Sequence, residues 1–394
     1  MQVVNYNFFK KNFKIKFSLY SPFRGLGGCF FLFLILLTFP VKANITNLKQ
    51  DLIAPGLIHH SFIKHLTRGK VIINILEIDT SAGYSIRPAL AKNGSIWGRE
   101  TLQRITQREN AIAAINANYF SNSGMPIGAL AIDKEWITGP VLNRATFSID
   151  ANGKVYFARP QVSGKIYKNS KYSISQSVNT INQPDSLNSK GITFYNHWWD
   201  DKISCGEGRA CLLVDGKGII RKKISTSDSI NIFYPTRSDY VLSAKSDGFF
   251  EELFEADKIF IKWHSDPDWS QMIHAIGGGP YLLKDGQIIL NESLEGFSNK
   301  SGVLGVAPRT ALGITRPNRI ILLTADGRQE NSVGMSLNEV AQLLKEIGVK
   351  DAINLDGGGS TTMVIDGNVI NHPSDKGVQR KVSTALIILK SVLP

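Results

Sequence analysis

The chain has 394 residues, 45 Lys and Arg against 33 Asp and Glu, and a formal net charge of +12. Six of those positive charges, Lys10, Lys11, Lys14, Lys16, Arg24 and Lys42, fall in residues 1–43, which hold no acidic residue. Half of the excess therefore belongs to a leader, so the high pI is poor grounds for expecting a nucleic-acid partner. A hydrophobic fraction of 43 % with 35 Gly and 15 Pro excludes a disordered or collagen-like chain.

In chain order, the first feature is an apolar run at 29–40, preceded by a basic stretch and followed by Val41-Lys42-Ala43. This order reads as a secretory signal cleaved after Ala43. The run is short of the about 20 residues that a spanning helix needs. The long basic stretch keeps an uncleaved signal anchor as the alternative. Residues 1–43 are thus expected to be a signal peptide or anchor, and residues 44–69 an N-terminal lead-in. The body is expected outside the cytoplasm, periplasmic or secreted, meeting a membrane only through that anchor.

Strand signals follow at 71–78, 111–115, 127–132, 154–158, 211–214, 258–263, 281–283, 310–314, 319–324, 362–365 and 384–389. Asn152-Gly153, Asp215-Gly216, Asp285-Gly286 and Asp366-Gly367 each sit between short apolar runs and read as hairpin turns. Helices are expected at 100–109 and 336–347. In the second, Ser336 and Glu339 form a capping-box pattern, Leu337, Val340, Leu343, Leu344 and Ile347 make one stripe, and Gly348 can end the helix. Residues 161–188 are polar and read as a surface insertion. In an exported chain, Cys205 and Cys211 are a disulfide candidate. The expected architecture is α+β: a large mixed, mostly antiparallel β-sheet core with a few packing helices, spanning 70–394.

The C-terminal third concentrates the chemistry. The strand at 320–324 ends in Ala325-Asp326-Gly327-Arg328, and the strand at 352–355 ends in Asp356-Gly357-Gly358-Gly359-Ser360-Thr361-Thr362. A helix joins the two strands, which predicts parallel neighbours with Asp326 and Asp356 at one sheet edge, where ligand crevices form. Gly357, Gly358 and Gly359 permit a nest of backbone N–H groups for an anion, with Ser360 and Thr361 as hydroxyl donors. No Lys follows as a nucleotide P-loop requires. Gly278 and Gly279 lie in a second glycine run, and Arg309 stands at a strand start beside both, suited to phosphate or carboxylate. Asn118 ends an apolar strand and can bond a sugar hydroxyl, with Tyr119 or Phe120 able to stack on a ring. His264 and His274 flank Asp266, Asp268 and Trp269 as the one candidate pair for a divalent metal. No residue is assigned to a metal, and a divalent metal is the one cofactor left open.

The order of these motifs, Asn116-Ala117-Asn118-Tyr119-Phe120, Gly277-Gly278-Gly279-Pro280, Arg309-Thr310-Ala311-Leu312-Gly313, Ala325-Asp326-Gly327-Arg328 and Asn354 to Thr362, resembles the phosphodiester glycosidase domain family. The resemblance covers roughly residues 70–390, and Pro373-Ser374-Asp375 resembles a short element near its end. It implies hydrolysis of a sugar-1-phosphodiester, such as N-acetylglucosamine-1-phosphodiester, on the sugar side, in a surface glycan or exopolysaccharide. Asp326 and Asp356 would then be the catalytic carboxylates. Asn118, Arg309, the glycine runs, Ser360 and Thr361 would bind substrate. The alternatives are a non-catalytic glycan-binding protein of the same fold and a phosphodiesterase cutting the P–O bond, with or without a metal's help.

Overall fold

The computed structural model describes residues 44–168, 172–183, 191–298, 302–316 and 319–390. The expected leader, residues 1–43, lies outside them. Among the described residues the architecture is predominantly antiparallel β, with two α-helices, Leu102–Arg108 and Leu337–Glu346. In place of one large core sheet there are sheets of eight, seven, five and five strands and two small ribbons.

The eight-stranded sheet positions the C-terminal motifs. Its order begins Ile45–Ala54, Leu57–Leu66, Gly69–Asp79, Arg319–Ala325, Arg309–Arg316, Asp351–Asn354. Both faces of its middle are covered, so these strands read as continuous apolar runs. Leu76, Ile78, Ile320, Leu322, Leu312 and Ile353 point into one core. Their sequence neighbours Ile73, Ile75, Ile321, Leu323 and Ala311 point into a second, beneath helix Leu337–Glu346. Each buried Leu or Ile contributes about 1.5–3 kcal/mol.

That helix follows from its sequence. Ser336 accepts from the Glu339 N–H, and Glu339 accepts from the Ser336 N–H at 2.8 Å. Leu337, Val340, Leu343 and Leu344 are buried, and Gly348 is left-handed at φ 83°. Arg68 Nη2 donates to Glu339 at 2.6 Å. Disulfide Cys205–Cys211 is present, with Cα atoms 5.8 Å apart and both residues buried. It closes a tight turn in which Gly206 and Gly208 have φ of 90° and 93°.

Three expectations change. Strands Arg319–Ala325 and Asp351–Asn354 run the same way, but they are not neighbours. Arg309–Arg316 lies between them, antiparallel to both, pairing Arg309 with Ala325 and Ala311 with Asn354. A crossover helix fixes direction and handedness, and it leaves room for one strand to slot in. The segment expected as a lead-in forms strands Ile45–Ala54 and Leu57–Leu66. The first is a polar, exposed edge, which hides its strand signal. The polar stretch 161–188 is no loose excursion where described: Gln161–Lys168 and Tyr172–Ile181 pair with each other inside the seven-stranded sheet. Ile166 and Val178 are the buried anchors of an otherwise half-polar face.

Glu339 is held at a pKa of about 2, chiefly by Arg68. A carboxyl whose pKa is lowered on folding stabilises above its unfolded value and loses that contribution as pH falls. Glu339→Gln should therefore cost about 1 kcal/mol at pH 7. Urea midpoints of the two proteins should converge between pH 4.5 and about 2. Replacing Cys205 and Cys211 together by Ala should cost about 2 kcal/mol at neutral pH, a chain-entropy figure for so short a loop, read from the same midpoints.

Candidate active site

Three strand ends meet at one edge of the eight-stranded sheet: Asp326 after Arg319–Ala325, Asp356 after Asp351–Asn354, and Arg309 opening the strand between. The two carboxylates do share an edge, as expected, across an intervening strand.

Asp356 is held by its backbone. Its N–H donates to the Ala117 carbonyl at 3.0 Å, and its carbonyl accepts from Asn116 Nδ2 at 2.6 Å. The residue as a whole is partly exposed, while its carboxyl is closely surrounded by protein atoms. Loss of water pushes its pKa up to about 6, against the pull of the Ser360 hydroxyl, Arg380 and the Gly357 N–H. Asp326 has a different setting. It is 2 % exposed, and its two oxygens accept from Asn371 Nδ2 and the His372 N–H, each at 3.0 Å. Asn371 Nδ2 also donates to the Thr361 carbonyl at 3.1 Å. Burial raises the Asp326 pKa as well. The Asp326 carboxylate fastens segment 371–372 to the end of the glycine run.

Several residues singled out for substrate are occupied otherwise. Arg309 is 2 % exposed, and its guanidinium donates to the carbonyls of Met335 and Val303, each at 2.8 Å, and to that of Gly305. Burial lowers its pKa to about 10. It ties the loop before its strand to the start of the capped helix, each of its three nitrogens bonded to a protein carbonyl. Asn118 is 1 % exposed, with Nδ2 on the Ala129 carbonyl at 3.1 Å and Oδ1 accepting from Thr384. A strand-end Asn looks the same in sequence whether its amide points outward or, as here, into packing.

The glycine runs serve close approach more than a nest. A Cβ on Gly278 would lie 2.5 Å from the Asn354 carbonyl, and one on Gly357 2.9 Å from the Pro308 carbonyl. Gly358–Ser360 is one 3₁₀ turn, and the N–H groups of Gly358, Ser360 and Thr361 are used within it or on Pro308. Ser360 and Thr361 are each 1 % exposed; Ser360 serves Asp356, and Thr361 accepts from Thr310. Gly279, at φ 108°, accepts on its carbonyl from Tyr119 Oη at 2.9 Å and Asn354 Nδ2 at 3.1 Å.

Three arginines to which the sequence assigned no role lie around the glycine runs; one of them, Arg328, closes the Ala325-Asp326-Gly327-Arg328 motif. Arg328 is exposed, with Nη1 and Nη2 each 3.3 Å from where a Gly358 Cβ would be. Arg380 lies against Gly359, leaving no space for a Cβ there, and pairs with Asp375 at 3.1 Å. Ser374-Asp375 was the available signal for that segment. On the other flank Arg144 stacks on Phe297 and Tyr119, 4.4 Å and 5.3 Å from the ring centroids. Its Nε is buried without a hydrogen-bond partner. No pattern in the sequence marks Arg144. Tyr119 Oη accepts from Asn354 Nδ2 at 2.8 Å, and burial together with nearby Asp356 raises its pKa.

His264 and His274 do not converge. His264 is exposed on strand Ile259–Asp266. His274 is buried, and its Nδ1 accepts from the Asp133 N–H at 3.2 Å. Among the described residues no group of three His, Cys, Asp or Glu side chains is placed to hold a metal ion.

Residues 209–389 match the phosphodiester glycosidase family. That stretch is similar to a phosphodiester glycosidase domain. An N-acetylglucosamine-1-phosphodiester alpha-N-acetylglucosaminidase from Mus musculus is 38 % identical over 111 residues, 26 % of this chain and 21 % of the mouse protein. The chain thus spans about a fifth of that relative's length. A hypothetical protein from Synechocystis shares the fold, with a TM-score of 0.77 and 24 % identity over 87 % of this chain and 64 % of that one. The catalytic domain of a zebrafish N-acetylglucosamine-1-phosphodiester alpha-N-acetylglucosaminidase, auto-inhibited by its pro-peptide, superposes with a TM-score of 0.50 at 20 % identity, over 87 % of each chain. The phosphodiester glycosidase match contains Asp326, Arg328, Asp356 and Arg380, while Asn118, Tyr119 and Arg144 precede it.

An acid whose pKa is raised on folding costs stability once it ionises: nothing below its unfolded value, the full amount above its folded one. Asp356→Asn should accordingly stabilise the protein by about 1–2 kcal/mol at pH 7.5, discounted for partial exposure. The gain should vanish by pH 3.5 in calorimetric melts.

Proposed function

We propose that this protein is an exported hydrolase that cleaves a sugar-1-phosphodiester on the sugar side, in surface or exopolysaccharide glycans. The observation that carries the reading is Asp356. It is a carboxylate on a partly exposed residue, with a pKa lifted to about 6, set at a strand end beside Arg380, with Arg328 on the same glycine turn. The mouse relative's name states this activity for that protein. The disulfide Cys205–Cys211 is in keeping with export.

In this reading Arg380 and Arg328 take the diester phosphate, and their charge favours its departure. Phosphate is a good leaving group, so no strong general acid is needed. Ionised Asp356 stabilises the positive charge developing at the anomeric carbon. The bond from that carbon to the phosphate oxygen breaks. Water supplies hydroxyl to the sugar and a proton to the phosphomonoester. Asp326, with both oxygens bonded, is the positioning carboxylate, holding Asn371 and thereby Thr361. That same saturation favours the second reading, a glycan-binding protein of this fold, since it leaves Asp356 as the partly open member of the pair.

Product analysis separates them. Residues 44–394, incubated with UDP-N-acetylglucosamine and simple N-acetylglucosamine-1-phosphodiesters, should release free N-acetylglucosamine and a phosphomonoester or UDP. Asp356→Asn should release none, and Arg380→Gln should lower kcat/KM about 100-fold. The pH profile of kcat/KM should rise through about 6, where Asp356 loses its proton. A sugar-1-phosphate product would place the cut at phosphorus, and glycan binding without turnover would leave the second reading.

A further inference from the structure

His197-Trp198-Trp199 belongs to none of the motifs above. The two tryptophans have opposite fates. Trp199 is 7 % exposed and wedged edge-on against Trp97 and Tyr195, with ring centroids at 4.9 Å and 4.8 Å. Trp198 stays partly exposed, and its indole N–H is buried, so what it offers outward is carbon ring surface. The turn carrying both is locked by Asn196. Its Oδ1 accepts from the Trp198 N–H at 3.1 Å and from Asn182 at 2.5 Å, while its Nδ2 donates to the Trp136 carbonyl at 3.1 Å. A partly exposed ring on so rigid a turn is a platform that loses little entropy when something stacks on it.

Trp198 lines a cavity of about 590 Å³ together with Arg87, Arg108, Glu109, Glu135 and Arg237. That volume is within the range of small-molecule sites. Most of its charges are already matched. Arg87 Nη2 meets Glu109 at 2.8 Å, Arg108 bonds Glu109 at 2.5 Å and Glu100 at 3.0 Å, and His197 faces Glu135 at 3.3 Å. The wall is therefore near neutral overall, yet it carries planar donors and acceptors fixed by one another. An anion would find Arg87 and Arg108 taken, with the charge of Arg237 offset by the lining Asp133. A ligand with many hydroxyls and an apolar ring face would find bonding partners on the wall and a stacking surface on the indole. Arg87 lies on strand Tyr84–Leu90, which is two strands removed from Ala113–Asn116. At about 4.8 Å per strand, the wall is on the order of 10 Å across the sheet from the strand whose Asn116 holds Asp356.

We propose that this cavity is a glycan-binding site for a neutral sugar, separate from the Asp356 site and independent of whether that site hydrolyses anything. It would hold a polysaccharide on the protein by its uncharged residues.

The probes are four soluble neutral tetrasaccharides, β-1,4-linked glucose, β-1,4-linked N-acetylglucosamine, α-1,4-linked glucose and β-1,4-linked mannose. Binding to residues 44–394 is followed by saturation-transfer NMR, with circular dichroism melts to check each variant's fold. At least one probe should bind with a sub-millimolar to millimolar Kd. Trp198→Ala should weaken it at least 10-fold and the exposed Arg237→Ala a further 2- to 5-fold, while Asp356→Asn leaves it unchanged. Arg237→Ala also guards against a Trp198 variant that fails to fold. Binding of none of the four overturns the proposal. So does binding that persists in both variants, or that is lost in Asp356→Asn instead, which would place the sugar in the Asp356 site. Turnover of phosphodiesters, present or absent, bears only on the hydrolase reading.

Discussion

The side-chain amide of Asn116 is the joint on which the site is built. It is fully buried at the end of strand Ala113–Asn116, in a different sheet from the one that carries Asp356. Its Nδ2 holds the Asp356 carbonyl at 2.6 Å. Its Oδ1 accepts from Thr310 Oγ1 at 2.9 Å and from the Thr362 N–H at 3.1 Å. One amide thus fixes both ends of the glycine run, and the strand between the two aspartates, against a second sheet. Each of those groups is buried, and a buried polar group left without its partner costs about 1–3 kcal/mol. An Asp or Leu at this position could not supply both the donor and the two acceptor directions.

Given that joint, the electrostatics of Asp356 follow. The turn after it can tighten to 3₁₀ because glycines let the Pro308 carbonyl and the Arg380 guanidinium come close. Close packing strips water from the carboxylate, and the Ser360 hydroxyl, Arg380 and the Gly357 N–H only partly offset that loss. The group is held against its own stability preference near neutral pH. Such a cost is retained where a perturbed carboxylate has chemical work to do. Asp326 shows the contrast: it too is raised by burial, but it spends both oxygens on the protein itself.

Much was legible locally. The capped helix, the Asp-Gly turns and the strands at 310–314, 319–324 and 384–389 are written in residue types and periodicity, because neighbouring residues settle them. Asp285-Gly286 and Asp366-Gly367 do adopt left-handed pairs, with φ near 48° and 74°. Illegible strands such as Ile45–Ala54 and Gln161–Lys168 owe their existence to pairing with distant partners, and their own side chains are largely polar. Arg309 and Arg144 show the same limit at the site. Arg309 follows a glycine-rich loop and reads as a phosphate ligand, yet three carbonyls from two segments consume it. Arg144 has no motif and ends on two rings contributed by residues 119 and 297.

The sequence by itself determined which residues cap, turn and form the central apolar strands, and it marked Asp356 with its glycine run as the focus of the chain. Those are properties of short segments and of residue chemistry, which no tertiary contact needs to supply. Only the tertiary structure decided which of two similar Asp-Gly strand ends stays open. It also decided which arginines border the glycine turn, and that a strand lies between the two aspartates. These depend on what a distant segment places opposite a given side chain: Asn371 against Asp326, Met335 and Val303 against Arg309, Arg380 against Gly359. Burial and hydrogen-bond saturation are set by such pairings, and they are what separates a reactive carboxylate from a structural one.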